Sequence, residues 1–500
     1  ESVPEIEGLV EDMISRIPNL DSDALAISLD RHTQIAPSAA LAITLKRRTG
    51  KPIIVGGTNA KRFQNFLIQH DVRGIDMVTA SKSPAELRAA FQAFDQLEEG
   101  RFELPVDPLS GQLSTAPEDW PVPDYGIYDL ERYRRDPIAN TPGQFKGYKG
   151  EVGPILVLPY VFTHNCQFAC AFCNLVDGKQ TAKPLDRVAR DLETMAERYG
   201  ARHFFMVDNQ INLFGTDLAD ALLAAKVDVQ WTNSYRVVPY KEGEIARMAE
   251  AGCVGLTVGV ESGSDRMLRV MVKGHRSKHA SRLVREAHEN NIMVRVNMVT
   301  CFPGEKDEDH IESRDWLCAH ADAIDDISPS SFYLTPDSPV AMKPERFGIR
   351  LRQERIMEGE YKFRKAQSSR EYDEVEGRSW EEIEPLLRST ERDMYDQWIQ
   401  ARGDYGPLSG LRPGLMFAGR QGFSTKKEAL DTMVEWTVGR RPGEHPRRTH
   451  EHEARSRSGR RRYRPNGGGG GPNPKQKRSA PKIFRPSEPA LSSNSPASEG

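Results

Sequence analysis

Three cysteines, Cys166, Cys170 and Cys173, fall within eight residues just after the apolar run Pro154–Tyr160. Thiolates are the ligands of iron–sulfur clusters, and a cubane cluster holds four irons. Three cysteines on one short loop can ligate three of those irons and leave the fourth open to a further ligand. Zinc is the other metal such a loop invites, with His164 completing a Cys3His set. Zinc knuckles usually split their ligands into two pairs across a longer loop, and no second pair follows here. Cys253, Cys301 and Cys318 are scattered through apolar contexts and read as small buried hydrophobes. The spacing favours an iron–sulfur centre.

The elements that must hold this loop repeat as strand then helix, six times, from residue 154 to about 334. The strands are expected near 154–160, 203–208, 228–233, 254–260, 293–300 and 325–333. Helical patterns lie near 183–198, 216–225, 241–251, 279–290 and 307–319. Parallel strands with intervening helices close toward a barrel, whose chemistry gathers at the carboxyl ends of the strands. The polar residues at those ends are Asp208 and Asn209, Arg236, Glu261 and Ser262, and Asn297. Arg295 and Asn297 are expected on alternate faces of their strand, with Asn297 inward. His275 and His279 are expected at the surface.

Ahead of this segment lies a shorter α/β pattern. The run Ala24–Leu29, a helical stretch over Pro37–Arg48, the strand Lys51–Gly57, another at Ile75–Thr79 and a helix opening at Ser83-Pro84 imply a parallel, doubly wound sheet. In such folds ligands lie beyond the carboxyl ends of the strands, where a glycine pair such as Gly56-Gly57 lets a backbone approach closely. The organisation expected is a partial Rossmann-like domain over 1–100, a Pro/Gly/Tyr-rich linker over 101–153, the barrel over 154–334, a mostly helical extension over 335–436 and a tail over 437–500.

Composition bounds the rest. Five hundred residues exceed one ordinary domain. No run of eighteen apolar residues and no secretory signal is present, and the clustered cysteines suit a reducing, cytoplasmic setting better than a disulfide framework. Residues 439–500 hold 15 Lys/Arg against 5 Asp/Glu, a surplus of ten positive charges within an overall net charge of −3. This tail, with five consecutive glycines, is too poor in apolar residues to offset ordering entropy and reads as disordered. Its charge gives no support to nucleic acid as a partner.

The cysteine loop resembles that of the radical S-adenosylmethionine (SAM) superfamily, and the likeness runs through the whole 154–334 segment as a partial, six-unit (β/α) barrel of the TIM type. The resemblance implies a [4Fe–4S] cluster on Cys166, Cys170 and Cys173, whose open iron chelates the amino and carboxylate groups of SAM. One electron then cleaves SAM to methionine and a 5′-deoxyadenosyl radical. By the same resemblance, the backbone at Phe172 lies against the adenine. Asp208 and Asn209 stand where the family usually has Gly-Gly-Glu and contact the methionine amino group. Arg236 pairs with the SAM carboxylate, with an anionic substrate or with a carboxylate of the barrel wall. Glu261 and Ser262 border the ribose, with a buried pair between Glu261 and Arg236 as the structural alternative. Phe302-Pro-Gly-Glu305 matches the family's Pro-Gly-Glu turn. The C-terminal extension is expected to close the barrel mouth.

The first domain resembles the C-terminal part of the cobalamin-binding domain that precedes many radical SAM cores. Ser28 and Gly56-Gly57 carry that likeness, with the first βα unit missing. Asp30-x-His32 follows the wrong strand to be the axial-ligand motif. The resemblance therefore implies a cobalamin-dependent enzyme that transfers methyl from SAM to an unactivated carbon, or a phosphinate phosphorus, of a natural-product or lipid intermediate. A small-molecule substrate and an external electron donor, such as flavodoxin or ferredoxin, would be its partners. Two alternatives stand beside it: a radical cyclisation, rearrangement or oxidation without methyl transfer, and a non-catalytic zinc or iron–sulfur module. Methylthiotransferases share the barrel but carry further cluster cysteines ahead of it, and no cysteine precedes Cys166 in this sequence.

Overall fold

The computed structural model describes residues 4–17, 20–29, 34–57, 74–79, 117, 120–139, 145–173, 179–335, 338–352, 371–408 and 423–437. All of them lie in one compact unit, residues 1–445. Asp30, His32, the helix expected at Ser83 and the basic tail after 437 fall outside the described residues.

The first sheet has three parallel strands, β1 (Leu25–Ser28), β2 (Ile53–Gly56) and β3 (Met77–Thr79), in the order 1-2-3. Sequence analysis began this region at the first strand, but a helix, α1 (Pro4–Ser15), precedes it. Val10 and Ile14 of α1 join Leu41 and Leu45 of α2 (Ile35–Thr49) and Ile53 and Val55 of β2 in one apolar cluster. That stripe, four residues apart on each helix, is what fixes both helices to the sheet. Asp76 ties the sheet further, pairing with Lys46 at 2.8 Å and accepting from the Ile53 N–H at 2.7 Å.

The second sheet is six-stranded and wholly parallel. Its strands are β4 (Val157–Tyr160), then, past the small antiparallel pair β5 (Thr163–His164) and β6 (Thr181–Ala182), β7 (His203–Met206), β8 (Gln230–Arg236), β9 (Cys253–Glu261), β10 (Met293–Thr300) and β11 (Asp326–Ser331). Each of the six barrel strands pairs with the next in the chain, the order being 4-7-8-9-10-11. Helices α3 (Leu185–Tyr199), α4 (Gly215–Ala225), α5 (Glu244–Glu250), α6 (Asp265–Val270), α7 (Ser277–Glu289) and α8 (Asp307–Ala319) connect them. In α7 the buried residues are Ala280, Leu283, Val284 and Ala287, the spacing of a helix with one apolar face. In β10 the fully buried Val294, Val296 and Met298 share that helix-side core.

The opposite face of the same sheet is polar and partly open. Residues two apart on a strand share a face, so Arg295 and Asn297 lie on the same inner side, not on alternate faces as expected. Both are half-buried, and Arg295 pairs with Asp326 of the neighbouring strand at 3.3 Å.

The C-terminal extension packs against both ends of the barrel. After a short hairpin, β12 (Ile349–Leu351) with β13 (Tyr372–Glu374), comes α10 (Trp380–Ala401), which follows the four-residue α9 (Pro339–Met342) in helix order. Met394 and Trp398 of α10 are buried in the barrel core, and its Thr390 hydroxyl donates to that of Thr300 on β10 at 3.1 Å. The helix thus stands after β11 as a sixth barrel helix. The last helix, α11 (Lys426–Trp436), packs with Met293 at the start of β10 and with Ile138, Phe145 and Val152 of the linker. It covers the amino-terminal end of the strands, the end away from the cysteines. At the other end, Trp380, Ile383 and Leu387 of α10, Val340 of α9 and Tyr372 of β13 share one apolar cluster with Ala171 and Phe172 of the cysteine loop, so the first part of the extension lies against the mouth.

The linker is fastened to the barrel by its aromatics. Tyr125 donates from its hydroxyl to the Pro159 carbonyl at 2.5 Å and packs edge-on against Tyr199, whose hydroxyl donates to Asp124 at 2.8 Å.

Candidate functional site

The cysteine loop leaves the carboxyl end of β4 and is pinned at its centre. Ala171 N–H donates to the Met271 carbonyl at 3.0 Å, Val340 N–H to the Ala171 carbonyl at 3.1 Å, and Cys173 N–H to the Cys170 carbonyl at 3.1 Å. Cys170 is buried, while Cys166 and Cys173 are half-buried. Among the described residues no three His, Cys, Asp or Glu side chains close on a single metal ion. His164, the fourth zinc ligand of the alternative reading, sets its ring edge-on to Trp120, centroids 6.0 Å apart.

Arg236, at the end of β8, reaches this loop. Its Nη1 donates to Cys170 Sγ at 2.6 Å, its other terminal nitrogen donates to the Lys273 carbonyl, and its guanidinium lies 4.3 Å from the centre of the Phe168 ring. A fixed positive group against a sulfur suits a thiolate ligand. Glu261 ends β9 in the left-handed region, φ +71°, beside a bulge that shifts register between Asn297 and Met298. Such a conformation is costly for a residue with a side chain and marks a site where the surroundings impose it. Here the carboxylate is turned onto Lys273 Nζ at 3.2 Å, both groups buried. A Cβ on Gly259 would meet Glu261 Oε1 at 2.8 Å, so glycine there makes room for the pair. Lys273 also sits over the Phe172 ring at 5.7 Å. The pair between Glu261 and Arg236, offered as the structural alternative, is not formed.

The remaining expected residues divide. Asp208 is buried and takes four donors: Phe162 N–H at 3.0 Å, Thr163 N–H and hydroxyl at 2.7 Å each, and Asn233 Nδ2 at 3.1 Å. Burial pushes its carboxyl up despite those bonds. It clamps the ends of β4, β7 and β8 together, which leaves Asn209, exposed and donating to the Asn165 carbonyl at 3.4 Å, as the freer of the two. Ser262 is fully buried and shares a 2.8 Å bond with Ser313 of α8. Gly263 beside it packs so tightly that a Cβ would lie 2.7 Å from the Glu312 carbonyl oxygen. Ser262 therefore holds the strand end to the helix rather than facing the mouth. Asn297 lies on the inner face one strand further on.

Two residues were missed. Lys273 gave no signal beyond a cation in an otherwise apolar turn. His275, expected at the surface, is only 5 % exposed. Burial, with Lys273 and Arg236 alongside, pushes its pKa down to about 3, so the ring is neutral. His279 is exposed and accepts from the Arg276 N–H at 3.3 Å. The other cysteines differ from the trio. Burial raises the thiol pKa of Cys253, Cys301 and Cys318, although Cys318 is half-exposed rather than the buried hydrophobe expected. Glu305 is buried with its pKa pushed up to about 7 and accepts from the Cys301 N–H. An open groove by Gly304, Phe347 and Val375 holds none of the candidate residues.

In the first sheet, Ser28 is exposed at the carboxyl end of β1 and pairs in register with Gly56 of β2. Gly57 has φ +117°, and a Cβ there would lie 2.7 Å from the Leu29 carbonyl oxygen. The chain's own backbone thus requires that glycine.

Residues 160–317 match the radical SAM superfamily. This chain carries a radical SAM domain. Such a domain works with a [4Fe–4S] cluster and SAM, and the chain is that of an enzyme. Among curated relatives, an uncharacterized methyltransferase of Pyrococcus horikoshii is 23 % identical over 327 residues, 61 % of this chain and 67 % of that one. The ribosomal protein uS12 methylthiotransferase RimO of Chlorobium chlorochromatii is 25 % identical over 39 % of this chain and 48 % of its own. The chain thus spans about two thirds of the first relative and about half of the second. Among solved structures, the radical SAM methyltransferase TsrM of Kitasatospora setae, with cobalamin and a [4Fe–4S] cluster bound, superposes with TM-score 0.53 at 14 % identity. That match covers 86 % of this chain and 91 % of TsrM. The cobalamin-dependent SAM radical enzyme OxsB gives 0.54 at 13 %, over 91 % of this chain and 75 % of OxsB. At such identities the likeness is one of fold. Among the described residues no helix is long and apolar enough to cross a membrane.

Proposed function

We propose that this radical SAM enzyme is a cobalamin-dependent methyltransferase acting on carbon, or on a phosphinate phosphorus, of a small molecule. The observation that carries the reading is the joining of two sheets in one chain. One ends in the cysteine loop with Arg236, Lys273 and Glu261, and the other presents Ser28 beside Gly56 at its carboxyl edge. TsrM and OxsB, which share this fold over most of the chain, are by their descriptions cobalamin-dependent or cobalamin-bound.

Cys166, Cys170 and Cys173 would hold the cluster, with the Arg236 guanidinium against Cys170 as its counter-charge. Asn209, Phe172 and the Glu261–Lys273 pair would line the SAM site. Ser28 and Gly56 would lie against the cobalamin's nucleotide tail, Gly57 keeping the turn close to Leu29. When bound, the cluster supplies the electron that cleaves SAM, and cobalamin supplies a carrier for the methyl group. The chain's part is to fix both against the substrate and keep water from the inner face of the barrel. We place the enzyme in the cytoplasm, served by an external donor such as flavodoxin or ferredoxin.

The test is anaerobic reconstitution with SAM, a strong reductant and cobalamin, with nucleosides quantified by mass spectrometry. S-adenosylhomocysteine together with 5′-deoxyadenosine, both lost in Cys173→Ala, is the expected result. Deoxyadenosine alone would keep the radical enzyme and end the methyl-transfer reading.

A further inference from the structure

His275 is a buried polar group without a use in the folded chain. Among the described residues neither ring nitrogen has a hydrogen-bond partner. The Lys273 carbonyl lies within reach of the ring and has a second lone pair to offer, but it is engaged by the Arg236 guanidinium and makes no well-formed hydrogen bond to His275. Leaving a buried donor or acceptor unmade is costly, and in native chains each such group calls for an explanation. A second orphan lies beside it: Nε of Arg236 is also buried and unpartnered. The same arginine touches Cys170 through Nη1. The unmet groups are therefore one side chain away from the cysteine loop, at the carboxyl ends of β8 and β9.

Their chemistry specifies what they would meet. A neutral imidazole offers one N–H donor and one lone pair, and His275 is held neutral by burial and by the two cations near it. Arg236 Nε adds a second, charged donor. One acceptor and two donors, set close together, match the amino-acid end of a ligand, which carries an ammonium and a carboxylate. An apolar ligand would answer none of these groups, and a fully ionised phosphate would satisfy the donors and leave the imidazole lone pair facing nothing.

We infer that His275 is a binding residue for the methionine end of SAM, acting beside Arg236 at the cysteine loop. The inference rests on the SAM-binding reading above. It assigns a contact to a histidine that sequence patterning places on the surface.

Two measurements on the full, cluster-reconstituted chain test it. The first is SAM binding, followed by equilibrium dialysis and by the change that SAM causes in the electron paramagnetic resonance of the reduced cluster. His275→Phe keeps the ring's bulk and removes both nitrogens. It should bind SAM at least about tenfold more weakly with iron content unchanged. His275→Gln, whose amide keeps a donor and an acceptor, should recover most of that loss. The second is the urea midpoint of the ligand-free chain, which His275→Phe should leave unchanged or raise, since it removes two unmet groups. A structural histidine would lower it. Wild-type affinity and an unaltered spectrum in His275→Phe would overturn the assignment alone. Absence of SAM binding by the wild type with its cluster complete would overturn the SAM-binding reading, and this assignment with it.

Discussion

The two ends of the barrel sheet place their buried charges to different effect. At the amino-terminal end, Lys426 of α11 is buried beside Asp325, Nζ to Oδ2 at 2.6 Å, with the Ile292 and Ala323 carbonyls at 3.3 and 3.5 Å. Asp325 in turn accepts from the Val294 N–H at 2.7 Å, and Arg402 donates to its carbonyl. Their charges are paired inside the chain and lock the last helices to the strands, although Asp325 Oδ1 and Arg402 Nε make no hydrogen bond among the described residues. At the carboxyl end, His275 and Arg236 Nε stay unmet, Glu261 is held in a left-handed conformation, and Glu305 is buried with its pKa pushed up to about 7. Both ends leave some buried polar atoms unbonded, but the carboxyl end joins them to a left-handed Glu261 beside the cysteine loop, strain of the kind found where a ligand completes the site.

Substitutions at the two ends should separate these roles. The largest effect belongs to the mouth: Cys170→Ala should abolish reductive SAM cleavage, measured as 5′-deoxyadenosine, while leaving the urea midpoint of the ligand-free chain close to wild type. Next is Lys426→Met, which strands Asp325 in a buried setting and should cost about 3 kcal/mol by urea denaturation. A cost under about 1 kcal/mol would mean that Arg402 already answers the carboxylate.

Glu305 sharpens the contrast through pH. Its pKa is raised from 4.5 to about 7 by burial, so the stability of the protonated form is fully present below pH 4.5 and is lost as pH rises through about 7. Glu305→Gln should therefore match wild type near about pH 4 and exceed it by up to about 3 kcal/mol near about pH 8. The smallest effect is expected at the first turn of α10. Ser379 caps α10, its N–H bonded to Glu382 at 2.8 Å, and Ser379→Ala should lower stability by about 1 kcal/mol.

Much of this was legible in the sequence because it rests on local pattern. The strands around Val294-Arg-Val-Asn-Met-Val299 and the helix from Ser277 announce themselves by alternation and by one apolar stripe, and the cysteine spacing is fully local. What failed depended on tertiary placement. The burial of His275 follows from the fold of the 270–275 turn beside Arg236, which no periodicity encodes. The role of Asp208 is set by where Phe162, Thr163 and Asn233 bring their donors. That α10 spans from the mouth to the opposite end, with Ile383 beside the cysteine loop cluster and Trp398 in the barrel core, while α11 covers the opposite end, depends on which apolar surface remains free once the barrel exists. The placing of Arg295 and Asn297 on opposite faces was different: a period of two already puts them together.

The central claim is that the cysteine loop holds a SAM-binding iron–sulfur cluster. Its most direct test is the metal content of the anaerobically reconstituted chain, read together with the resonance spectrum of the reduced protein before and after SAM. About four irons per chain, lost in Cys170→Ala, and a spectrum that changes on adding SAM are the predicted result. A single tightly held zinc, or a cluster whose spectrum SAM leaves untouched, would contradict it.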